Sequence, residues 1–452
     1  MLEGDNNVAI VSRKMGMASI LFMLPLAACG KLDNGAADKA PNAQTPPAEI
    51  VFYGGSTQPK DFFDKQYGEL LYKKFPQHTF KYIQMPSGNI QEGTTKLLTE
   101  GQRIDIFYNN IGIFENTLFS FGMQYDMTDL MKKHQVDLGR LEQESIKAMK
   151  QFSGGKTYGV PVTDMKFVLF YNKDIFDKFG VGYPRDGMTW DEAIELGKKL
   201  TRFDNGTQYV GLSTSPSQFI AQNQLSIPIV NNETEQPTIN TNPGWRRLFD
   251  ALFVQPMQDN GVRSKIGALK AIPGNDAFVT KQDLAMYAYN IAIYISPSLI
   301  PAMQQFNWDM VTVPVFPDAP GVGSQTTPFY FGLTNMTKEK DAAMEVLKFM
   351  ISDEYQNWVS RRGFIPTLMT DETKREYGKE TAFPNKNYAA LFKYKNAPIP
   401  PSADYTFSVN SVYAASALPI ANGTKDMNTA FREAEELALK RIEEAKRNRT
   451  AK

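Results

Sequence analysis

Aromatic side chains and amides stand together at several points of this sequence, where they could form a binding surface without covalent chemistry. The chain has 20 Tyr and 30 Phe, and three runs combine them with polar or small residues: "FYNN" (107–110), "MYAYN" (286–290) and "PFYFG" (328–332). Aromatic faces pack against the C–H faces of sugar rings, and amides and carboxylates bridge neighbouring hydroxyl groups. These runs favour a site for an uncharged polyol, although each single Tyr or Phe also fits a hydrophobic core.

Motifs for covalent or metal chemistry are missing from the sequence. "SGGKT" (153–157) ends like a phosphate-binding loop, but Lys150 stands where that motif requires a glycine. The chain has one cysteine and two isolated histidines, which excludes a disulfide framework and Cys-rich metal sites. We therefore expect no cofactor and no metal. A carboxylate pair for glycoside hydrolysis stays open, because 49 acidic residues supply many pairs.

Length and charge narrow the class of protein. A chain of 452 residues, 42% apolar and 22% charged, is typical of a soluble globular protein with two domains or two lobes. Lys plus Arg and Asp plus Glu both number 49, so the net charge is zero. No overall field attracts DNA, RNA or an acidic membrane surface, and we expect no nucleic-acid partner.

The start of the chain has the layout of a secretory signal. Arg13 and Lys14 precede an uncharged run from Met15 to Ala28, and small residues close it. The run is shorter than the about 20 helical residues that cross a bilayer. Residues 1–28 are therefore predicted to be a signal peptide that is removed.

The single cysteine, Cys29, follows this run directly. Leu26-Ala27-Ala28-Cys29 resembles the bacterial lipobox, in which the cysteine is diacylated and the peptide is cut just before it. An ordinary signal peptide with a chance cysteine is the alternative. Residues 29–48 are rich in Ala, Pro, Asn and Gly and are typical of a flexible spacer. We predict a lipid anchor on Cys29 that holds the protein at the extracytoplasmic face of the cell membrane.

Strands and helices alternate after the spacer. The predicted elements in order are "EIVFYGG" (49–55), a helix over 61–75, "HTFKYIQM" (78–85), a short helix over 92–101 and "RIDIFYNN" (103–110). This order predicts an α/β fold with a mostly parallel sheet and helices on both faces. Ligands bind such sheets beyond the carboxyl ends of the strands. Those ends are Gly54-Gly55-Ser56 and Tyr108-Asn109-Asn110.

Two local patterns in the middle of the chain have structural interpretations. The β-rich run from Tyr158 to Tyr171 is too long for one strand, and a strand that crosses between two sheets would explain it. Thr189 and Glu192 have capping-box spacing at the start of a helix. Trp190 between them is therefore expected to pack inside the protein and not to contact a ligand.

Several stretches, taken in order, resemble the extracellular solute-binding proteins of ABC importers, in the class that mostly binds carbohydrates. The most specific are "GGKTYGVPVT" (154–163), "FYNKDIFDKFGV" (170–181) and "TWDEAIELGKKLT" (189–201). The stretch "KEKDAAMEVLKFMISDEYQNWVSRRGFIPT" (338–367) resembles the late helix pair of the family. The resemblance covers nearly the whole chain after the spacer.

This resemblance implies a two-lobe, periplasmic-binding-protein-like α/β fold with a hinge of two or three crossing segments. The crossings are expected near Val160–Met165, Met286–Ile291 and Phe329–Leu333. The expected N-lobe comprises 49–162 plus 289–331, and the expected C-lobe 163–288 plus 332–452. "YNIAIY" (289–294) stands where the family often has a Gly and a Trp in its second crossing.

The resemblance also implies which residues contact the solute. Family contacts fall on Ser56, Asn109, Asn110, Asp164, Tyr289, Asn290, Phe329 and Tyr330. The implied function is a monomeric receptor that binds a mono- or oligosaccharide and delivers it to the transmembrane subunits of an ABC permease. Two alternatives remain: a secreted carbohydrate-cleaving enzyme, and a receptor of the same fold for a non-sugar solute such as a peptide, polyamine or iron chelate.

Overall fold

The computed structural model describes residues 46–55, 58–86, 88–401 and 405–450. The predicted signal peptide 1–28, the predicted lipidation site Cys29 and the predicted contact Ser56 lie outside the described residues. Within the described ranges, no helix is both long and apolar enough to cross a membrane.

Strands and helices alternate along the described chain. The strands are β1 (Glu49–Gly54), β2 (Thr79–Gln84), β3 (Ile106–Asn110), β4 (Val160–Asp164), β5 (Phe167–Asn172), β6 (Arg202–Asp204), β7 (Thr207–Thr214), β8 (Leu284–Asn290), β9 (Trp308–Thr312), β10 (Val322–Gln325), β11 (Phe329–Leu333), β12 (Ile365–Pro366) and β13 (Lys395–Ala397). The α-helices are α1 (Lys60–Phe63), α2 (Glu69–Lys74), α3 (Ile90–Thr99), α4 (Ile111–Ser120), α5 (Thr128–Lys133), α6 (Gln143–Phe152), α7 (Lys173–Phe179), α8 (Trp190–Leu200), α9 (Pro216–Ala221), α10 (Gly244–Phe249), α11 (Asn260–Leu269), α12 (Ala292–Ile295), α13 (Ile300–Met303), α14 (Lys340–Met350), α15 (Asp353–Arg361), α16 (Asp371–Glu376), α17 (Thr406–Ala421) and α18 (Met427–Thr450).

Shorter helical turns complete the set. A π-helical turn over Asp64–Gly68 joins α1 to α2, so the predicted helix over 61–75 is one continuous helical segment. Phe63, Tyr67 and Leu71 in this segment are fully buried at a spacing of four residues, which places them on one face. The remaining turns are Leu138–Arg140, Asp250–Val254, Gln255–Met257, Asp276–Thr280 and Tyr388–Phe392.

The first sheet has six strands in the order β12-β4-β11-β3-β1-β2. The strands β2, β1 and β3 run parallel, whereas β11 pairs antiparallel with both β3 and β4. The sheet is therefore mixed, and the expected parallel arrangement holds only for its first three strands. The physical reason is that β11 follows β10, which pairs with β13 in a separate two-stranded sheet, so no local crossover helix sets β11 parallel to β3. Both faces of the sheet are buried, one under α14 and α15 and the other under α4 and α6.

The second sheet has five strands in the order β6-β7-β8-β5-β9. One face packs against α8, α10, α17 and α18, and the other packs against α11, α12 and α13. The predicted capping box at Thr189 and Glu192 is present at the start of α8. Trp190 is buried in the core there, and its indole N–H donates to Gln224 Oε1 at 2.7 Å. The predicted packing role of Trp190 is thus confirmed.

The chain passes at three places between the first sheet and the part of the molecule built on the second sheet. It leaves the first sheet after Asp164 and enters the second at Phe167, so the long β run does cross between the sheets, but as the two strands β4 and β5 and not as the single strand expected. It returns before Phe329 and leaves the first sheet again after Pro366. We refer to residues 165–166, 326–328 and 367–370 as the first, second and third crossing.

Two expectations about this layout need correction. The expected crossing at Met286–Ile291 is wrong, because β8 is a central strand of the second sheet, paired with β5 and β7. The expected lobe ranges also divide differently in the structure. Strand β9 lies in the second sheet although 289–331 was expected in the first lobe, and α14 packs on the first sheet although 332–452 was expected in the second. Hydrophobic burial decides the placement of α14, since its side chains Val346, Leu347 and Met350 cover the first sheet.

Candidate functional site

A cleft of about 1050 Å³ lies where the carboxyl ends of strands from both sheets meet the crossings. Gly55 follows β1, and Asn109 and Asn110 end β3 on the first-sheet side. Tyr289 and Asn290 end β8 on the second-sheet side. The cleft therefore lies beyond the strand ends, as the sequence pattern predicts for an α/β sheet.

Asn109 and Asn110 line the cleft from the first sheet, and the local backbone fixes both. The Asn109 side chain is buried, and its Oδ1 accepts a hydrogen bond from the Asn110 backbone N–H at 2.9 Å. Asn110 is the N-cap of α4, where its Oδ1 accepts from the Ile113 backbone N–H at 3.4 Å. The amide of Asn110 is half-buried, so it can still reach a group in the cleft.

Tyr289 and Asn290 line the opposite side of the cleft. The Tyr289 ring stacks on the Tyr287 ring with centroids 5.0 Å apart, because residues two apart in a strand share one face. Burial raises the pKa of the Tyr289 phenol, so its hydroxyl is neutral and can donate a hydrogen bond. Asn290 is buried, and its Nδ2 donates to Gln218 Oε1 at 3.2 Å.

Phe329 and Tyr330, neighbours in β11, lie on opposite faces of the first sheet. Phe329 lines the cleft. Tyr330 does not: it is fully buried in the core under α4 and α6, and its hydroxyl donates to the Ser145 carbonyl at 2.6 Å. The alternation of side chains along a strand separates them. Tyr330 was expected to contact the solute, but the structure places it in the core.

Asp164 was also expected to contact the solute, but it lies behind the cleft lining. Its side chain is 2% exposed, and its Oδ1 accepts from the backbone N–H groups of Met165 at 2.7 Å and Thr327 at 2.8 Å. Burial raises the pKa of Asp164 to about 7. The residues that reach the cleft here are Met165 and Thr327 themselves.

The structure brings two further aromatic residues to the cleft that sequence reasoning missed. Phe119 on α4 is 41% exposed, and Phe407 on α17 is 69% exposed. Single exposed apolar side chains are common on protein surfaces, but these two line one cleft from different elements. The only signal in the sequence is a Phe on the polar side of its helix, which is too weak to stand out among 30 Phe.

Amides and hydroxyls dominate the polar lining of the cleft. The amide side chains are those of Gln58, Asn109, Asn110, Asn116, Gln218, Gln222, Asn290, Gln325 and Asn410. Among the described lining residues, Glu115 alone carries an ionisable carboxylate or basic group. Three buried acceptor atoms of the lining have no hydrogen-bond partner within the described part of the chain: Gln222 Oε1, Thr326 Oγ1 and Asn410 Oδ1. Buried polar atoms normally have a hydrogen-bond partner, so these three mark places where the described residues leave the lining unsatisfied.

Comparison with known proteins fixes the family. The sequence profile of the bacterial extracellular solute-binding protein family matches residues 54–357. The chain belongs to this family. The resemblance noted in the sequence is thereby confirmed, and the family is one of binding proteins. The described residues of this solute-binding protein hold no group of three or more His, Cys, Asp or Glu arranged for a metal ion.

Individual relatives are distant in sequence. Binding proteins of Brucella abortus and Brucella suis are 23% identical over 288 residues, which is 59% of this chain and 65% of theirs. A sugar transporter of Rhizobium etli, solved in an open conformation, has 18% identity and a TM-score of 0.70, covering 86% of this chain and 98% of that one. An ABC substrate-binding protein of Listeria monocytogenes in complex with cycloalternan has 20% identity and a TM-score of 0.66, covering 87% and 98%. The fold of this solute-binding protein is therefore the two-lobe, periplasmic-binding-protein-like α/β fold.

Proposed function

We propose that this solute-binding protein is a monomeric receptor for a neutral mono- or oligosaccharide, which it binds in the interlobe cleft and delivers to an ABC permease. The observation that carries the proposal is the lining of the cleft. It combines nine amide side chains and two exposed Phe rings with a single carboxylate. Amides bridge sugar hydroxyls and aromatic rings cover the apolar faces of the sugar, so this set matches an uncharged polyol.

The relatives support the same solute class. The Rhizobium etli protein is a sugar transporter, and the Listeria monocytogenes protein holds cycloalternan. Both share the fold of this chain at low sequence identity. We therefore infer a carbohydrate as the solute of this chain and leave its size open between one ring and several.

The two alternative functions fit the cleft less well. Glycoside hydrolysis commonly requires two carboxyl groups that flank the scissile bond, whereas the described lining offers only Glu115. A charged peptide or iron chelate would need a matching charged cluster, and a single carboxylate does not provide one. A polyamine is the one charged solute that Glu115 could help to hold.

A thermal-unfolding panel tests the proposal. We expect at least one neutral mono- or oligosaccharide to raise the Tm, because a ligand at a hundred times its Kd adds about 2.7 kcal/mol to the free energy of unfolding. Spermidine and basic dipeptides serve as charged comparisons and should leave the Tm unchanged. Stabilisation by spermidine alone, lost in Glu115→Gln, would contradict the sugar assignment. Release of reducing ends from the stabilising sugar would instead establish an enzyme.

The membrane location is a further part of the proposal. We infer an extracytoplasmic protein held by lipid on Cys29, since Leu26-Ala27-Ala28-Cys29 has the lipobox pattern and the spacer 29–48 gives the folded part reach. Membership of an extracellular solute-binding family agrees with export. The permease would then receive the loaded protein at the same membrane face.

A further inference from the structure

Asp164 joins two of the three crossings through one carboxylate oxygen. It is the last residue of β4, directly before the first crossing. Its Oδ1 accepts from the Met165 N–H at 2.7 Å in the first crossing and from the Thr327 N–H at 2.8 Å in the second. The Thr327 N–H also lies 3.4 Å from the Met165 carbonyl oxygen. The two segments about which the lobes must rotate are thus held side by side at this carboxylate.

The second oxygen of the same carboxylate, Oδ2, is buried and accepts no hydrogen bond from the described residues. Asp164 Oδ2 has no hydrogen-bond partner among the described residues, and the side chain is 2% exposed. An ionised carboxylate in such a place is costly, because buried charge is stable only when it is paired and fully hydrogen-bonded. Burial accordingly raises the pKa of Asp164 to about 7.

The charged and titratable groups that face Asp164 come from three elements. Lys166, half-buried in the first crossing, lowers the pKa of Asp164 by its positive charge, and burial in turn lowers the pKa of Lys166. Glu142, which caps α6, raises the pKa of Asp164. Tyr330 on β11 remains neutral, because burial raises its pKa well above the usual range. Desolvation outweighs the positive charge of Lys166, so the Asp164 carboxyl group is mostly neutral below about pH 7 in this arrangement.

We propose that Asp164 is a positioning residue of the hinge, and that the charge on its carboxylate sets how firmly the first and second crossings hold together. When neutral, the side chain fits its dry surroundings and keeps Thr327 in place. When the carboxylate is ionised, it is stabilised by hydration, so it favours a separation of the two crossings that lets water reach Oδ2. The proposal rests on the two-lobe fold and requires no solute, so it stands or falls separately from the sugar assignment.

The direction in which pH changes hinge opening follows from the pKa of the Asp164 carboxyl group in the two states of the hinge. A hydrated Asp has a pKa of about 3.9, whereas the pKa of Asp164 is about 7 when the first and second crossings hold together and bury it. Between these values, each pH unit favours the hydrated, opened hinge over the dry one by up to about tenfold. Above about pH 7 both states are ionised and the effect levels off. Hinge opening should therefore increase from pH 5 to pH 7 and then remain constant.

Hydrogen exchange at the Thr327 amide tests this on the ligand-free protein. After correction for the intrinsic pH dependence of exchange, we expect the protection of Thr327 to fall by up to about tenfold per pH unit between pH 5 and 7 and to level off above pH 7. In Asp164→Asn, which keeps an Oδ1 acceptor but cannot ionise, protection should be constant over the same range. Protection that changes equally in the wild type and in Asp164→Asn would overturn the proposal.

Asp105→Asn is the matched control. Asp105 is another buried carboxylate, 1% exposed, whose Oδ2 accepts from the Val51 N–H at 2.9 Å inside the first sheet and away from the crossings. This variant should keep the wild-type pH profile at Thr327. The radius of gyration of the wild type, measured by small-angle X-ray scattering, should increase from pH 5 to pH 7. A flat wild-type profile in both measurements overturns the proposal even when a variant fails to fold.

Discussion

At the scale of single residues, the two exposed Phe side chains are the feature of the cleft with the clearest energetic consequence. Phe407 is 69% exposed on α17 and Phe119 is 41% exposed on α4. An exposed ring adds little to folding, whereas a ring covered by the face of a sugar should add to binding an energy on the order of that of an aromatic pair, about 0.5–1.5 kcal/mol. We therefore expect the Phe407 ring to matter for the solute more than for the fold, whereas the Phe119 ring also packs edge-on against Phe152 and Tyr158.

Phe407→Ala is expected to weaken binding of the stabilising sugar by about threefold to tenfold, because the stacking surface is lost. The Tm without sugar should stay the same. Phe203→Ala is the matched control, since Phe203 is 70% exposed on β6 and does not line the cleft. Isothermal titration calorimetry on both variants measures the difference. Equal loss of affinity in Phe203→Ala would assign the effect to general destabilisation.

A family resemblance is least reliable in predicting which single residues contact the solute. Phe329 and Tyr330 are neighbours in one run, yet one lines the cleft and the other is buried in the core. Asp164 has the chemistry of a sugar ligand, but its Oδ1 binds backbone amides. A motif gives the position of a residue in the chain, whereas the pleat and the surrounding packing decide where its side chain points.

At the scale of elements, local sequence patterns predict well the features that depend on residues close together in the chain, such as helix caps and the order of strands and helices. The capping box at Thr189 and Glu192 is present, because it needs only residues three apart in the chain. The alternation of strand and helix from 49 to 110 matches the structure, because apolar periodicity and burial agree there. The break of the long β run into β4 and β5 follows from its length.

Elements that meet over long sequence distances depend on contacts that no local pattern shows. Gln356 on α15 is fully buried. Its Nε2 donates to the carbonyls of Val162 at 3.0 Å and Met350 at 2.7 Å, and its Oε1 accepts from the N–H groups of Thr367 at 2.8 Å and Leu368 at 3.1 Å. One amide side chain thereby attaches α15 and the third crossing to β4.

Gln356→Leu is expected to lower the free energy of unfolding by roughly 3 kcal/mol, because it leaves buried backbone donors and acceptors without partners. Urea unfolding measures the change. The same substitution at the exposed Gln304 should alter stability by less than about 0.5 kcal/mol. A loss in Gln356→Leu no greater than that of Gln304→Leu would show that the four hydrogen bonds contribute little.

At the scale of the whole molecule, the cleft belongs to neither sheet alone. Asn110 comes from the first sheet, Tyr289 from the second, and Thr327 from a crossing between them. A solute that contacts both walls binds better when they are close, and it can shift the molecule toward closure only by that difference in affinity. Three crossings limit this motion to a hinge, which is why the state of Asp164 bears on it.

The location of the whole molecule is predicted to depend on Cys29. Cys29→Ser should move the protein from the membrane fraction to the soluble or secreted fraction, because two acyl chains give stable anchoring and their loss removes it. Immunoblots of fractionated cells measure this. Affinity for the stabilising sugar should be equal in both forms, since the cleft is built from residues after the spacer. Unchanged membrane association of Cys29→Ser would contradict the lipid anchor.

The sequence alone determined the family, the α/β class, the order of the first elements and the strand end at Asn109 and Asn110. These follow from local periodicity, capping and ordered motifs, which act over a few residues. The tertiary structure decided the lobe membership of β9 and α14, the position of the crossings and the inward place of Tyr330 and Asp164. It also decided that Phe119 and Phe407 reach one cleft. The reason is that burial and pairing between distant segments fix these features, and side-chain spacing along the chain does not record which segments meet.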